Sequence, residues 1–136
     1  MSSVVLDASA VLALLFDEPG ADVVEQAIRS YSAVLGATNL AEVLTKAVDK
    51  GIAAAALEER LAKIDPLGAV LRIEPLTEAD AVAIAGLRPA TRAAGLGLGD
   101  RACLALAKRL GAKCLTTDRA WKGVAQAIGV EVVVAR

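Results

Sequence analysis

The sequence predicts an α/β protein of three layers, a mainly parallel sheet covered by helices on both faces. Short aliphatic runs alternate with stretches of helical periodicity along the whole chain, the pattern of repeated strand–helix units. The runs Val4-Val5-Leu6 and Ala33-Val34-Leu35 are continuously apolar, as in strands buried on both faces. No internal repeat, low-complexity tail or interdomain linker divides the chain, so a single domain over residues 1–136 is expected.

In order, the strand at residues 4–6 delivers Asp7 to the start of an apolar helix over residues 10–16. Asp17-Glu18-Pro19-Gly20 is a turn, and residues 21–29 form an amphipathic helix with Val23, Val24, Ala27 and Ile28 on one face. A second strand at residues 33–35 leads to a helix beginning at Thr38-Asn39 and ending near Lys50-Gly51. An alanine-rich helix over residues 53–64 stops at Asp65-Pro66. Residues 70–74 read as a strand, and Thr77-Glu78-Ala79-Asp80 opens a helix that ends before Pro89. The run Gly95-Leu96-Gly97-Leu98-Gly99 is expected to be a flexible loop, and residues 100–110 a helix closed by Gly111. Strands at residues 113–117 and 130–134 flank a short helix or turn from Asp118.

Composition removes whole classes of chemistry. The chain is 56% hydrophobic and 23% charged, which excludes disorder, and 136 residues can bury roughly two-thirds of their unfolded surface. With 2% aromatics, the core must be Ala, Val, Leu and Ile. No apolar run approaches the roughly 20 uncharged residues of a membrane span, and no basic region precedes an apolar leader. A cytoplasmic location is expected, with no membrane partner. Cys103 and Cys114 then read as buried small apolar residues. There is no histidine, which eliminates Ser-His-Asp and Cys-His catalysis and imidazole metal ligands. Residues 1–70 hold ten acids against five bases, and residues 71–136 six against ten. That basic excess suits a polyanion and equally suits solvated helix faces.

Whatever chemistry occurs must run on carboxylates, hydroxyls, Lys or Arg, and four acids are the candidates. Asp7 and Asp118 end strand runs, so a parallel sheet places both at its carboxyl edge. Glu42 and Asp100 are expected in first helical turns. Each also has a structural explanation: Asp7 and Asp118 as N-caps, Asn39 and Glu42 as a capping box, Asp100 as a charge favoured by the helix dipole. Together they converge on one crevice without an obligatory basic partner. Clustered carboxylates raise one another's pKa or bind a cation, and oxygen-only ligands select Mg²⁺ or Mn²⁺. Metal-activated water attacking a phosphodiester is the economical mechanism.

The segments Val5-Leu6-Asp7-Ala8-Ser9, Thr38-Asn39-Leu40-Ala41-Glu42-Val43, Leu98-Gly99-Asp100 and Leu115-Thr116-Thr117-Asp118-Arg119-Ala120-Trp121 carry a family resemblance. Their order and spacing resemble the PIN-domain family, and within it the VapC-type toxin ribonucleases of type II toxin–antitoxin modules. The resemblance implies a PIN-like fold and a Mg²⁺- or Mn²⁺-dependent endoribonuclease. Asp7, Glu42, Asp100 and Asp118 would form its acidic quartet, with Asp7 and Asp100 touching the metal directly. It further implies supporting roles for Ser9, Asn39, Thr116 and Thr117, an RNA substrate, a cognate antitoxin, and a homodimer within a toxin–antitoxin hetero-oligomer. Arg119, beside Asp118, is a candidate for holding a substrate phosphate or for pairing with that acid. Trp121 reads as a packing anchor, and Asp80 as a helix N-terminal residue.

Two alternatives stand beside this reading. An aspartate-nucleophile phosphotransferase or phosphatase would use Asp7, but haloacid-dehalogenase-like proteins want a second acid two residues on, where this chain has Ser9, and receiver proteins an adjacent acidic pair after the first strand. A catalytically silent RNA- or protein-binding module would keep the fold without needing the four acids.

Overall fold

The computed structural model describes residues 2–62 and 71–136. Five strands, β1 (Ser3–Leu6), β2 (Ser32–Gly36), β3 (Arg72–Glu74), β4 (Lys113–Thr116) and β5 (Val132–Val134), form one sheet in the order β3-β2-β1-β4-β5. Every pairing is parallel. Parallel neighbours require crossovers, and helices supply them. α1 (Ala8–Leu15) and α2 (Ala21–Ser30) lie between β1 and β2, α3 (Ala37–Asp49) and α4 (Ala54–Ala62) between β2 and β3. α5 (Glu78–Gly86), α6 (Arg88–Thr91) and α7 (Leu98–Leu110) connect β3 to β4, and a 3₁₀ turn (Arg119–Trp121) with α8 (Lys122–Ile128) precedes β5.

The two-residue alternation of each strand divides the core. Val4, Leu6, Ala33, Leu35 and Leu115 pack with residues of α1 to α4. Val5, Val34 and Cys114 pack on the other face with α7, α8 and Trp121. Both faces are therefore apolar and covered, giving the expected three layers, and each fully buried Val or Leu contributes about 1.5–3 kcal/mol. Trp121 is completely buried, the anchor its sequence position suggested. Cys103 and Cys114 are buried free thiols with their sulfurs 3.7 Å apart.

From β1 the chain winds outward to β2 and β3, then returns to place β4 and β5 on the other side. β1 and β4 are thus neighbours whose connections leave in opposite directions. In open parallel sheets a crevice opens beyond the carboxyl ends of such a pair.

Several boundaries differ from expectation. α1 begins at Ala8 because Asp7 is already the N-cap. α3 begins at Ala37, with Gly36 in extended conformation (φ −70°, ψ 150°) as its N-cap directly at the end of β2. Asn39 is therefore inside the first turn and Glu42 in the second, and the capping box expected between them does not form. The expected glycine loop is shorter, since Leu98 and Gly99 are helical. α5 ends at Gly86, and Pro89 sits in the first turn of α6, where its missing N–H leaves no bond unmade. The expected end of α4 at residues 63–64, the Asp65-Pro66 stop and strand residue 70 lie outside the described residues.

Candidate active site

Asp7 is carried by the last turn out of β1, and it is 4% exposed. Its Oδ1 accepts hydrogen bonds from Ser9 Oγ at 2.7 Å and from the Ala10 backbone N–H at 2.8 Å. Its Oδ2 accepts from Thr116 Oγ1 at 2.5 Å. Each hydroxyl has one proton, spent on Asp7, and each accepts a backbone N–H in return. Ser9 Oγ accepts from Thr117 N at 3.0 Å, and Thr116 Oγ1 from Asp118 N at 3.0 Å. With both hydroxyl protons on Asp7 the network favours the carboxylate form, and Ser9 Oγ and Thr116 Oγ1, 3.3 Å apart, can hydrogen-bond to each other when Asp7 is protonated. Capping and site architecture are the same interaction here: one carboxylate starts α1 and fastens β1 to β4.

Burial opposes that ionisation. Desolvation pushes the Asp7 pKa from 3.8 up to about 6, against the three hydrogen bonds, and the charge of Asp100 adds to the rise. Glu42 and Asp100 are likewise raised, chiefly by burial. Asn39 and Gly97 respectively counter it by hydrogen bonding, while Asp100 adds charge repulsion at Glu42 and Asp118 does so at Asp100. Asp100 therefore lies within electrostatic reach of each of the other three acids. No ion pair reaches any of the four among the described residues.

The supporting groups fall into two sets. Ser9, Thr116 and Thr117 belong to the Asp7 network, Thr117 through its backbone N–H. Asn39, 1% exposed, belongs to Glu42: its Nδ2 donates to Glu42 Oε1 at 2.9 Å and to the Gly99 carbonyl at 3.0 Å, bridging α3 to α7. Asp100 Oδ2 accepts the Gly97 N–H at 3.0 Å, satisfying a free donor at the start of α7. Asp118 accepts the Ala120 N–H at 3.0 Å and caps the 3₁₀ turn. Arg119 is exposed and forms no ion pair with Asp118 among the described residues.

Asp80 stands apart. It closes a capping box with Thr77 and accepts Arg109 Nε at 2.9 Å. Burial raises its pKa, but the Thr77 and Arg109 hydrogen bonds outweigh that and hold it below the usual carboxylate range. Sequence reasoning gave the glycine run a general role and missed the particular residue. A Cβ at Gly99 would stand 2.5 Å from Glu42 Cδ, so the carboxylate occupies the space a side chain would need. The signal was present in the glycine immediately before a candidate acid.

Chemically, the donor set is all oxygen, repelling internally and without an ion pair among the described residues, which fits a hard divalent ion. As placed, no three acids among the described residues are close enough to hold one ion, so binding requires the exposed members to draw toward Asp7.

Fold and crevice together define a doubly wound α/β protein with an acidic site at the switch point of its sheet. The PIN domain family model matches residues 4–127, and the chain belongs to that family. A comparison with curated protein sequences gives no significant match. Among solved structures, a toxin–antitoxin complex from Klebsiella pneumoniae superposes with TM-score 0.68 at 18% identity, covering 98% of both chains. FitAcB from Neisseria gonorrhoeae gives 0.66 at 25%, covering 97% of both. DNA-bound VapBC from Salmonella typhimurium gives 0.67 at 16%, covering 100% of both.

Proposed function

We propose that this protein is a metal-dependent endoribonuclease, the toxin of a type II toxin–antitoxin pair. The observation that carries the reading is Asp7, a buried carboxyl group bonded by two hydroxyls, beside three further acids that no ion pair reaches among the described residues. Mg²⁺ or Mn²⁺ would be held by Asp7, Glu42, Asp100 and Asp118, and bound there would supply Lewis acidity and a water acidified toward neutrality. Ser9 and Thr116 fix both oxygens of Asp7, so this ligand needs no reorganisation. One of these carboxylates would take a proton from the attacking water as general base. Arg119, exposed beside Asp118, is placed to hold a substrate phosphate.

Only part of the basic excess is free for RNA. Arg109 is engaged by Glu74 and Asp80, and Arg101 donates to the Ile84 carbonyl at 3.1 Å. Arg88, Arg92, Lys108 and Lys122 are exposed and serve as backbone contacts in this reading. The partners of the similar structures support a cognate antitoxin. Association of two copies belongs to the same reading. No helix among the described residues is long and apolar enough to cross a membrane, which accords with action in the cytoplasm.

The test is RNA cleavage with divalent ions by the wild type, Asp7→Asn and Asp100→Asn. Loss of cleavage in both variants and in EDTA is expected. Cleavage that survives either substitution or the chelator overturns the reading.

A further inference from the structure

We infer that Gly99 is a positioning residue for Glu42: the missing side chain at this place is what lets the Glu42 carboxylate stand against the first turn of α7, next to Asp100. This rests on Glu42 being a metal ligand, as proposed above. Three observations meet here. A Cβ on Gly99 would overlap the Glu42 carboxylate, with Cδ at 2.5 Å. Gly99 is the second residue of a 13-residue helix, so its backbone does not explain the glycine, and alanine is the better helix former. Gly99 is also absent from the residues with positive φ. Finally, both hydrogens of the buried Asn39 amide are spent at this contact, one on Glu42 Oε1 and one on the Gly99 carbonyl.

The same three-residue contact therefore sets the height of Glu42 along α7. Asn39 pulls the carboxylate toward the Gly99 backbone, and the bare Cα leaves room for it. The first turn of a helix carries partial positive charge, which favours an acid resting there. If a methyl group is added, the group that yields is the end of a flexible side chain rather than the helix. The cost then falls on where Glu42 stands and not on the fold.

The experiment is a double-mutant cycle in the full chain: wild type, Gly99→Ala, Glu42→Ala and the double variant. Mn²⁺ affinity is read by calorimetry, and melting of the metal-free protein by circular dichroism. Glu42→Ala is expected to weaken Mn²⁺ binding, and Gly99→Ala to weaken it by about ten-fold, the scale of lost support for a metal ligand. In the Glu42→Ala background the Gly99→Ala change is expected to cost no further affinity, because nothing is left to displace. Metal-free Gly99→Ala is expected to melt no lower than the wild type. Unchanged affinity in Gly99→Ala, or a loss that adds to that of Glu42→Ala, overturns the inference. If Glu42→Ala itself binds Mn²⁺ like the wild type, the ligand reading fails first and the inference with it.

Discussion

Thr116 Oγ1 sits 2.5 Å from Asp7 Oδ2 and joins residues 109 apart in sequence across the β1–β4 boundary. Because the same oxygen accepts the Asp118 N–H, Thr116 links one acid of the site to the backbone of another. Replacing Thr116 with Val keeps the shape and leaves both a carboxylate oxygen and an N–H unpaired. Denaturant unfolding should show a loss of about 1–3 kcal/mol, and Thr116→Ser should recover most of it. Equal stability of the Val variant would refute this role.

The raised pKa of Asp7 makes stability pH-dependent in a defined direction. At pH values below 3.8 the group is protonated in both folded and unfolded chains. From there to about 6 only the unfolded chain has released its proton, so the folded state loses ground steadily. Above that range the stabilisation is gone, a total on the order of 3 kcal/mol. Glu42 and Asp100 are shifted the same way, whereas the lowered Asp80 favours folding above its window and loses that contribution only in stronger acid. Metal-free protein should therefore melt higher at about pH 5 than at about pH 7. Asp7→Asn should flatten most of that slope; a slope retained in full by the variant would assign it elsewhere.

Divalent ions should reverse the trend. Ligation needs the carboxylates ionised, so Mn²⁺ should raise the melting temperature more at about pH 7 than at about pH 5. Free ion at a hundred times its Kd stabilises by about 2.7 kcal/mol. Asp100→Asn should lose most of this shift in differential scanning fluorimetry. An undiminished shift would place the ion elsewhere on the protein.

Trp121 is fully buried against the sheet and α8, and its Nε1 has no hydrogen-bond partner among the described residues. Trp121→Ala should cost about 3–5 kcal/mol. Trp121→Phe should cost clearly less, since no indole hydrogen bond is given up. Calorimetric unfolding distinguishes the two, and equal losses would contradict the packing role.

The strands and the two acids at their ends were legible because apolar runs and terminal carboxylates are local signals. Val4-Val5-Leu6-Asp7 and Leu115-Thr116-Thr117-Asp118 announce themselves without reference to the rest of the chain. The partnership of Ser9 with Thr117 was not legible in detail, because it depends on which strands are neighbours. The spacing of Asn39 and Glu42 misled for a physical reason. Gly36 completes the strand-to-helix turn three residues earlier, so Asn39 is past the capping position and its amide is free to serve Glu42 instead. Gly99 looked like loop chemistry because a glycine's reason can lie on another helix.

The β1–β4 junction also sets a timetable for synthesis. At about 5–20 residues per second, the ribosome adds Thr116 roughly 5–20 s after Asp7. Through that interval the nascent chain has the first carboxylate but neither the hydroxyl that holds it nor Asp118. The acidic crevice can close only after β4 and Asp118 have emerged, so a chain that stalls or is cut before β4 is born without a finished site.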